Sequence, residues 1–447
     1  MRSSSVAVPP ARIRLGSWLD EWLGRPSRPQ NASRSTGVQR ERHAPDYMTF
    51  LAVLALGAIG ILMVYSSSGI RAYLQRDDTF AVVGPQLLWA LLGILAMLVT
   101  MRIDYRYLRL ISVPMFGAAL VLLALVLVLP TDEGPVRSVV VGGSARWFQI
   151  GGLPAVHPAE FAKLALVVYL AHWMARKGHR VGSVIHGTIP FLLLAGPVIL
   201  LVVREPDLGT TGVLTLTAFT MFWVAGANLW QFFLLIPAGI AGVAFVITSN
   251  AYQMTRVQAF LDPWQDPAGI GFHTIQGLLA LGLGGFVGSG LGGSRQAAGL
   301  YLPNASNDFI FAVVGEELGL LGGLAVVALF LILAYRGIRI ALSAPDTFGG
   351  LLATGITAWL ALQAFINMSV VVSLMPITGV TLPFVSAGGS SLIVSFAAVG
   401  ILLSISRETQ PRGTWNDADS DRGRRHRRPH LPGAGSRPFS PRASRGR

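Results

Sequence analysis

The chain has 447 residues, 52% of them hydrophobic and 13% charged, with a mean hydropathy of +0.56. Soluble globular domains carry roughly 25% charged residues, so this composition excludes an ordinary water-soluble domain. There is no cysteine, which excludes a disulfide framework and a thiolate nucleophile, and much of the +13 net charge sits in the two ends, so it does not call for nucleic acid.

Residues 1–46 are rich in Arg, Ser and Pro and read as a disordered basic cytoplasmic tail. Within it, Ile13–Leu23 is weakly amphipathic and reads either as plain tail or as a membrane-surface contact. The segment before Met48 has no apolar core long enough for a signal peptide, so the first long apolar run reads as a retained span.

Apolar runs follow at about 48–66, 80–100 and 109–130, then from Pro158 to just before Arg176, then at 184–203, 210–226, 229–248, 309–335, 349–373 and 389–406. Each is near the ~20 residues that a helix needs to cross hydrocarbon. Arg102, Arg106, Arg109, Arg176, Lys177, Arg180, Arg336 and Arg339 fall at one side with both tails. The positive-inside rule makes that side cytoplasmic. The expectation is an all-α polytopic membrane protein of about ten transmembrane helices with both termini cytoplasmic. The loops 67–79, 131–157, 204–209, 249–308 and 374–388 then lie outside, the largest between helices 7 and 8. The membrane domain spans 47–407, and 408–447 is a second disordered Arg-rich cytoplasmic tail.

The stretch from Tyr252 to Gly319 is the anomaly. It holds Arg256, Asp262, Asp266, His273, Gln276, Arg295 and Asp308 between greasy runs, and it is dense in glycine. Charges in or beside a membrane are costly and are functional candidates by default. Asp308 precedes the apolar run Phe309–Val314, where a helix dipole would lower its pKa and burial would raise it. It reads as a general base or as an N-cap. Glu316 and Glu317, about two turns on, are candidates to pair with arginines in the bundle.

Three other places carry polar candidates. Glu160 and Lys163 are three apart on one helix face and read as a structural ion pair or as substrate contacts. Lys163 and Lys177 are the only lysines in the chain, so a lysine at membrane depth stands out. Arg146 and Trp147 form an interfacial element, either an anchor or a phosphate site. Glu205 and Asp207 flank Pro206, as paired carboxylates for chemistry or an ion, or as a solvated loop with Asp207 at an N-cap. The glycines of 282–293 do not form a phosphate loop, and Asp262 and Asp266 lack EF-hand spacing.

Taken in order, Tyr65–Ser68, Gly143–Gly152, Pro158–Leu164, Pro206–Thr210, Arg256–Gln276, Leu302–Gly319 and Pro376–Ser391 resemble the SEDS family (shape, elongation, division and sporulation), which includes FtsW, RodA and SpoVE. The resemblance covers roughly 45–407, and Phe260–Trp264 is most like the FtsW branch. It implies a peptidoglycan glycosyltransferase that polymerises lipid II in the cytoplasmic membrane, with its active site on the extracytoplasmic side. It implies a class B penicillin-binding protein and divisome proteins as partners. The essential family aspartate matches Asp308, within Pro303-Asn304-Ala305-Ser306-Asn307-Asp308-Phe309. The usual Glu and His of that motif are Asn304 and Ser306 here, so neither takes a charged role. His157, Glu205 and Ala387 are further departures, at positions where the family often has Gln, Gln and Tyr. Arg146, Trp147, Glu160, Lys163, Arg204, Asp207, Arg256, Gln276, Ser390 and Ser391 are expected to contact lipid II. No metal ligands are assigned, and a magnesium or manganese ion stays open as an accessory. A lipid II transporter and a non-catalytic division scaffold are the alternatives. Clustering of the candidates at one face favours the enzyme.

Overall fold

A computed structural model describes residues 44–130, 136–141, 144–151, 154–299 and 301–408. The expected tails, with Ile13–Leu23, lie outside these residues apart from 44–46 and Glu408. The helices are α1 Tyr47–Arg76, α2 Val83–Arg102, α3 Tyr107–Val128, α4 Pro158–Lys177, α5 Ile189–Arg204, α6 Leu208–Val224 and α7 Leu229–Ser249. After them come α8 Ala251–Leu261, α9 Phe272–Gly284, α10 Arg295–Ala298, α11 Ile310–Ser343, α12 Thr347–Val371 and α13 Gly389–Ser406.

Helices α1–α7 and α11–α13 occupy the ten expected spans. Eight of them are long and apolar enough to cross a membrane, α5 when taken with the π-helical turn Val184–Thr188 that precedes it; α6 is short, at 17 residues, and α4 is not apolar enough. The reason in α4 is its charge: Glu160, Lys163, Arg176 and Lys177. It tolerates the first two because it is the central helix, packed by α3, α5, α6, α12 and α13 and buried over most of its length. Charges inside a bundle are kept where they face protein and find a partner.

Local chemistry explains the helix starts. The Asp46 carboxylate accepts from the amides of Met48 and Thr49 at α1. Pro158 opens α4, where its missing N–H costs nothing. Asp207 caps α6 through the amide of Thr210, as the N-cap reading expects. Asn228 and Gln231 form a capping box at α7.

Side-chain pairs identify the two ends of the bundle. At one, Arg336 Nε meets Asp46 Oδ2 at 2.7 Å, Arg109 Nη2 meets Asp346 Oδ2 at 3.0 Å and Arg106 Nη2 meets Glu408 Oε2 at 2.7 Å. The Tyr105 hydroxyl donates to Asp346, and burial pushes its pKa up. This is the arginine-rich end. The other end carries the connections before α2, α4, α6, α11 and α13.

Two features of that far end depart from the expectation. The 131–157 loop contains the antiparallel hairpin β1 Val136–Val141 and β2 Ser144–Ile150, where only a short interfacial element is expected. Val139 pairs with Trp147, and the ladder shifts register just after it. The stretch from 249 to 308 contains three helices, α8, α9 and α10. α9 is apolar and lies against α11.

Helix α11 is longer than the expected span and is broken at Gly319 (φ 67°, ψ −167°). The segment after α9 fills the break. The amides of Ser289 and Gly290 donate to the carbonyls of Glu316 and Glu317 at 2.9 and 3.0 Å. In return, the amides of Leu320 and Leu321 donate to the carbonyls of Gly285 and Phe286 at 2.9 and 3.3 Å. The backbones approach so closely that a Cβ at Gly284, Gly288 or Gly319 would strike main-chain atoms of the partner segment. This close approach is what the glycine-dense run supplies.

Candidate functional site

Asp308 lies in the turn that leads into α11, not on the cap position. Phe309 is the N-cap, and no side chain caps that helix. The turn is pinned from several directions. Asn304 takes a left-handed φ of 55°, and its carbonyl accepts the amides of Asn307 and Phe309 at 2.9 and 3.4 Å. Ser386 Oγ donates to the carbonyl of Asn307 at 2.6 Å, and the amide of Ala387 donates to the carbonyl of Ser306 at 2.8 Å. Asn367 Nδ2, on α12, donates to the carbonyl of Asp308 at 2.8 Å and to that of Val380 at 2.7 Å. The Phe309 ring lies against Gly277 of α9, where any Cβ would press into it.

The Asp308 side chain is 9% exposed. Burial raises its pKa to about 6, against the lowering effects of a hydrogen bond to its own backbone and of the Arg256 charge. Near neutral pH such a carboxylate is ionised yet basic enough to take a proton. Arg256, on α8, donates from Nη1 to the carbonyl of Ile377 at 3.1 Å and from Nη2 to the Tyr252 hydroxyl, with its guanidinium 4.4 Å from the Tyr252 ring centre. It joins α8 to the 374–388 loop and sets a positive charge in the field of Asp308.

A second group surrounds the turn between α5 and α6. Arg146 donates from Nε to the carbonyl of Glu205 at 3.0 Å and from Nη2 to that of Pro206 at 2.7 Å. Gln253 Nε2 donates to the same Pro206 carbonyl at 3.0 Å. The hairpin and α8 therefore grip one turn. Glu205 is fully buried, and among the described residues neither of its carboxyl oxygens has a hydrogen-bond partner. Burial and the neighbouring Asp207 charge push its pKa up to about 8, while Arg146 works against the shift. Asp207 also accepts from Thr210 Oγ1 at 2.8 Å, which ties its carboxylate to the start of α6.

The third group is the ion pair. Lys163 Nζ meets Glu160 Oε2 at 2.8 Å and donates to Gln363 Oε1 at 2.7 Å, with Nζ 5.2 Å from the Trp359 ring centre. Gln363 Nε2 passes the connection to the carbonyl of Thr381 at 3.0 Å. His157 bridges the second and third groups: its Nδ1 is 3.9 Å from Glu160 Oε1 and its Nε2 is 3.9 Å from Asp207 Oδ2. Trp147 covers the His157 ring at 5.1 Å, and the amide of His157 donates to Ser390 Oγ at 3.4 Å.

The structure thus brings Arg146, Trp147, Glu160, Lys163, Asp207 and Ser390 into one network. The 374–388 loop connects it to Arg256 and Asp308. Ser391 follows Ser390 on α13, Gln276 is half-buried on α9, and Arg204 is exposed at the end of α5. Among the described residues Glu316 and Glu317 do not pair with arginine. Glu316 accepts from Ser294, and Glu317 accepts from Ser66 Oγ on α1 at 2.6 and 2.7 Å. The expectation passes over Asn367 and Ser386, which orient the Asp308 turn, and Gln363, which ties Lys163 to the 374–388 loop. The signal available for Asn367 and Gln363 is that both are carboxamides inside an apolar span, where an unpaired amide is costly.

A divalent ion does not fit the residues present. Among the described residues no group of three or more Asp, Glu or His side chains converges as ligands. Of the buried carboxylates that cluster, Glu160 is paired with Lys163 and Asp207 is caught in an N-cap, which leaves Glu205 as a single unpartnered carboxyl.

Residues 46–411 match a family model described as "Cell cycle protein", that of FtsW, RodA and SpoVE. The stage V sporulation protein E of Bacillus subtilis is 41% identical over 82% of this chain and 98% of its own length. A probable peptidoglycan glycosyltransferase FtsW of Trichlorobacter lovleyi is 41% identical over 81% of this chain and 93% of its own. A solved peptidoglycan synthase complex that coordinates polymerisation and crosslinking contains a chain 29% identical to this one, with a TM-score of 0.64 over 82% of this chain and 98% of that one. The rod shape determining protein RodA of Thermus thermophilus is 28% identical, with a TM-score of 0.60 over 82% of this chain and 98% of its own. The match runs from the first span through the last, and it includes the turn that holds Asp308. This chain belongs to the FtsW/RodA/SpoVE family.

Proposed function

We propose that this chain is a multi-pass peptidoglycan glycosyltransferase of the cytoplasmic membrane. It polymerises lipid II into β-1,4-linked glycan strands on the extracytoplasmic face. The observation that carries the reading is the Asp308 carboxyl. Its turn is held by Asn367, Ser386 and Ala387 through the backbone carbonyls of Asp308, Asn307 and Ser306, and the carboxyl is nearly buried, with a pKa of about 6, at the end of the bundle opposite the arginine-rich end.

The reaction needs one proton acceptor and a site for a departing pyrophosphate, which gains one negative charge as the C1–O bond breaks. The acceptor's GlcNAc 4-hydroxyl gives its proton to the Asp308 carboxylate. Its oxygen forms a bond to C1 of the lipid-linked donor, and the C1–O bond to pyrophosphate breaks. Undecaprenyl pyrophosphate leaves with the electron pair, and the anomeric centre is inverted. Cations stabilise the charge that develops on the leaving group. Exposed Arg204 is suited to this, and the Arg256 charge, which acts on Asp308, adds to it from its place on the Ile377 carbonyl; Arg146 is committed to two carbonyls. No step is assigned to a metal ion.

The class of partner is a class B penicillin-binding protein, which crosslinks the strand as it emerges, in the setting of the septal division machinery. Similarity to a chain of a solved synthase complex supports this reading. The test is polymerisation of labelled lipid II by the purified protein, alone and with that transpeptidase, beside Asp308→Ala. Loss of polymer in the variant is expected. Equal polymer from the two proteins removes Asp308 from the reaction.

A further inference from the structure

The carboxylate of Glu316 is 1% exposed at membrane depth on α11, and it is well partnered. Ser294 Oγ donates to its Oε2 at 2.5 Å, and the amides of Arg295 and Gln296 donate to its Oε1 at 2.7 and 3.3 Å. The Ser294 hydroxyl accepts in turn from the amide of Ala297 at 3.0 Å. Glu316 therefore satisfies the start of α10 from more than 20 residues downstream. Hydrogen bonds to an ionised acceptor are the strong kind, and in a poorly solvated place they hold geometry firmly.

Asp308 lies between the two points of attachment. The chain leaves Ser294, forms α10, turns through the 303–309 segment and returns along α11 to Glu316. The loop is cross-braced where the amide of Leu302 donates to the carbonyl of Gln296 at 3.0 Å. The glycine ladder at the Gly319 break keeps Glu316 at a defined height against the same segment. With the Glu316 carboxylate removed, the amides of Arg295 and Gln296 and the Ser294 hydroxyl lose their acceptor together. The 294–309 segment is then left with only the Glu317 carboxylate and the 289–290 ladder to hold its upstream end to α11.

We propose that Glu316 is a positioning residue for the polymerisation reaction: it closes the 294–316 loop and so keeps the Asp308 carboxyl in its buried, proton-accepting place. This rests on Asp308 being the general base. Glu316 touches neither substrate nor reacting atoms. It acts through the loop it closes.

The experiment uses the full-length chain, reconstituted with its transpeptidase and given labelled lipid II. The variants are Glu316→Ala, Glu316→Gln, Ser294→Ala and Asp308→Ala. The readouts are kcat, KM and the acid limb of the pH profile, with a thermal melt beside each. Glu316→Ala is expected to lower kcat by ~10- to 100-fold, because a small misplacement of a reacting group costs that much. KM for lipid II should stay within about threefold, since only turnover reports the position of the base. The acid limb should move down by about one pH unit, because a loosened loop lets water reach Asp308. Glu316→Gln keeps an acceptor at Oε1 and should retain the parental limb. If Glu316→Ala does not fold, Ser294→Ala removes one donor only, and a smaller shift of the limb in the same direction is expected. A limb unmoved in every folded variant, or equal losses in Glu316→Gln and Glu316→Ala that track their melts, overturns the proposal. Polymer from Asp308→Ala at the parental rate overturns the base assignment itself.

Discussion

The side-chain amide of Asn367 bridges two backbone carbonyls, those of Asp308 and Val380, at 2.8 and 2.7 Å. One nitrogen thus joins α12 to the turn before α11 and to the 374–388 loop. Asn367→Ala leaves both carbonyls without that donor in a buried place. The expected cost is ~1–3 kcal/mol of stability for each carbonyl left unsatisfied. A fall in kcat of roughly tenfold should accompany it as the Asp308 turn loosens. A melt and a lipid II polymerisation assay check this together. A variant with parental turnover would show that the bridge does not orient Asp308.

The rate should depend on pH through Asp308. The group accepts a proton only as a carboxylate, and its pKa in the folded protein is about 6. Activity is therefore expected to be low below that value, to rise through it and to level off above about pH 7. A limb in the ordinary range of an exposed aspartate, near about 4, would mean that a differently placed group takes the proton.

Lys163→Met strands Glu160, which is buried and has no other cation as close. Removing one partner of a buried pair costs ~3–5 kcal/mol. The double variant Glu160→Gln, Lys163→Met removes both charges and should recover much of that loss. Thermal unfolding of the three proteins decides it. Equal melts for the single and double variants would show that the stranded charge is not the source of the loss.

Glu205 gives the opposite sign. Its folded pKa of about 8 lies above that of an exposed glutamate, so the folded protein holds a proton that the unfolded chain has released. Stability contributed by this group is present at acid pH and is lost as pH climbs from the carboxylate range to about 8. Glu205→Gln, which cannot ionise, should therefore match the parent near about pH 4 and exceed it by a margin that grows up to about pH 8 and is constant beyond. Melts across that range would sink the idea if the margin did not change with pH.

The spans are legible from hydropathy because burial in lipid demands long apolar runs, and α4 is readable despite its charges because Pro158 and the basic Arg176-Lys177 pair bracket it. The setting of Asp308 is a different matter. The motif around it marks the aspartate, but its supports come from Asn367, Ser386 and Ala387, distant in sequence and joined only by the fold. The hairpin is legible but passed over: Val136–Val141 is rich in valine and a glycine pair follows it in the sequence, which is a hairpin signal. Arg146 is legible as a charge at an interface, yet its partners are two backbone carbonyls, which carry no sequence signal at all. Glu316 and Glu317 suggest arginine partners by charge alone. Serine hydroxyls and backbone amides meet them instead, from Ser66 on α1 and from the start of α10, which are brought there only by the fold.

The break at Gly319 also constrains the order of assembly. The amides of Ser289 and Gly290 find their acceptors only in Glu316 and Glu317, on a helix that is synthesised later. Backbone groups without partners are not tolerated in hydrocarbon. The 285–290 segment must therefore wait in a wet setting until α11 arrives, and the two then settle together. The most glycine-dense part of the chain is thus a late joint, closed after the helices on either side of it are in place.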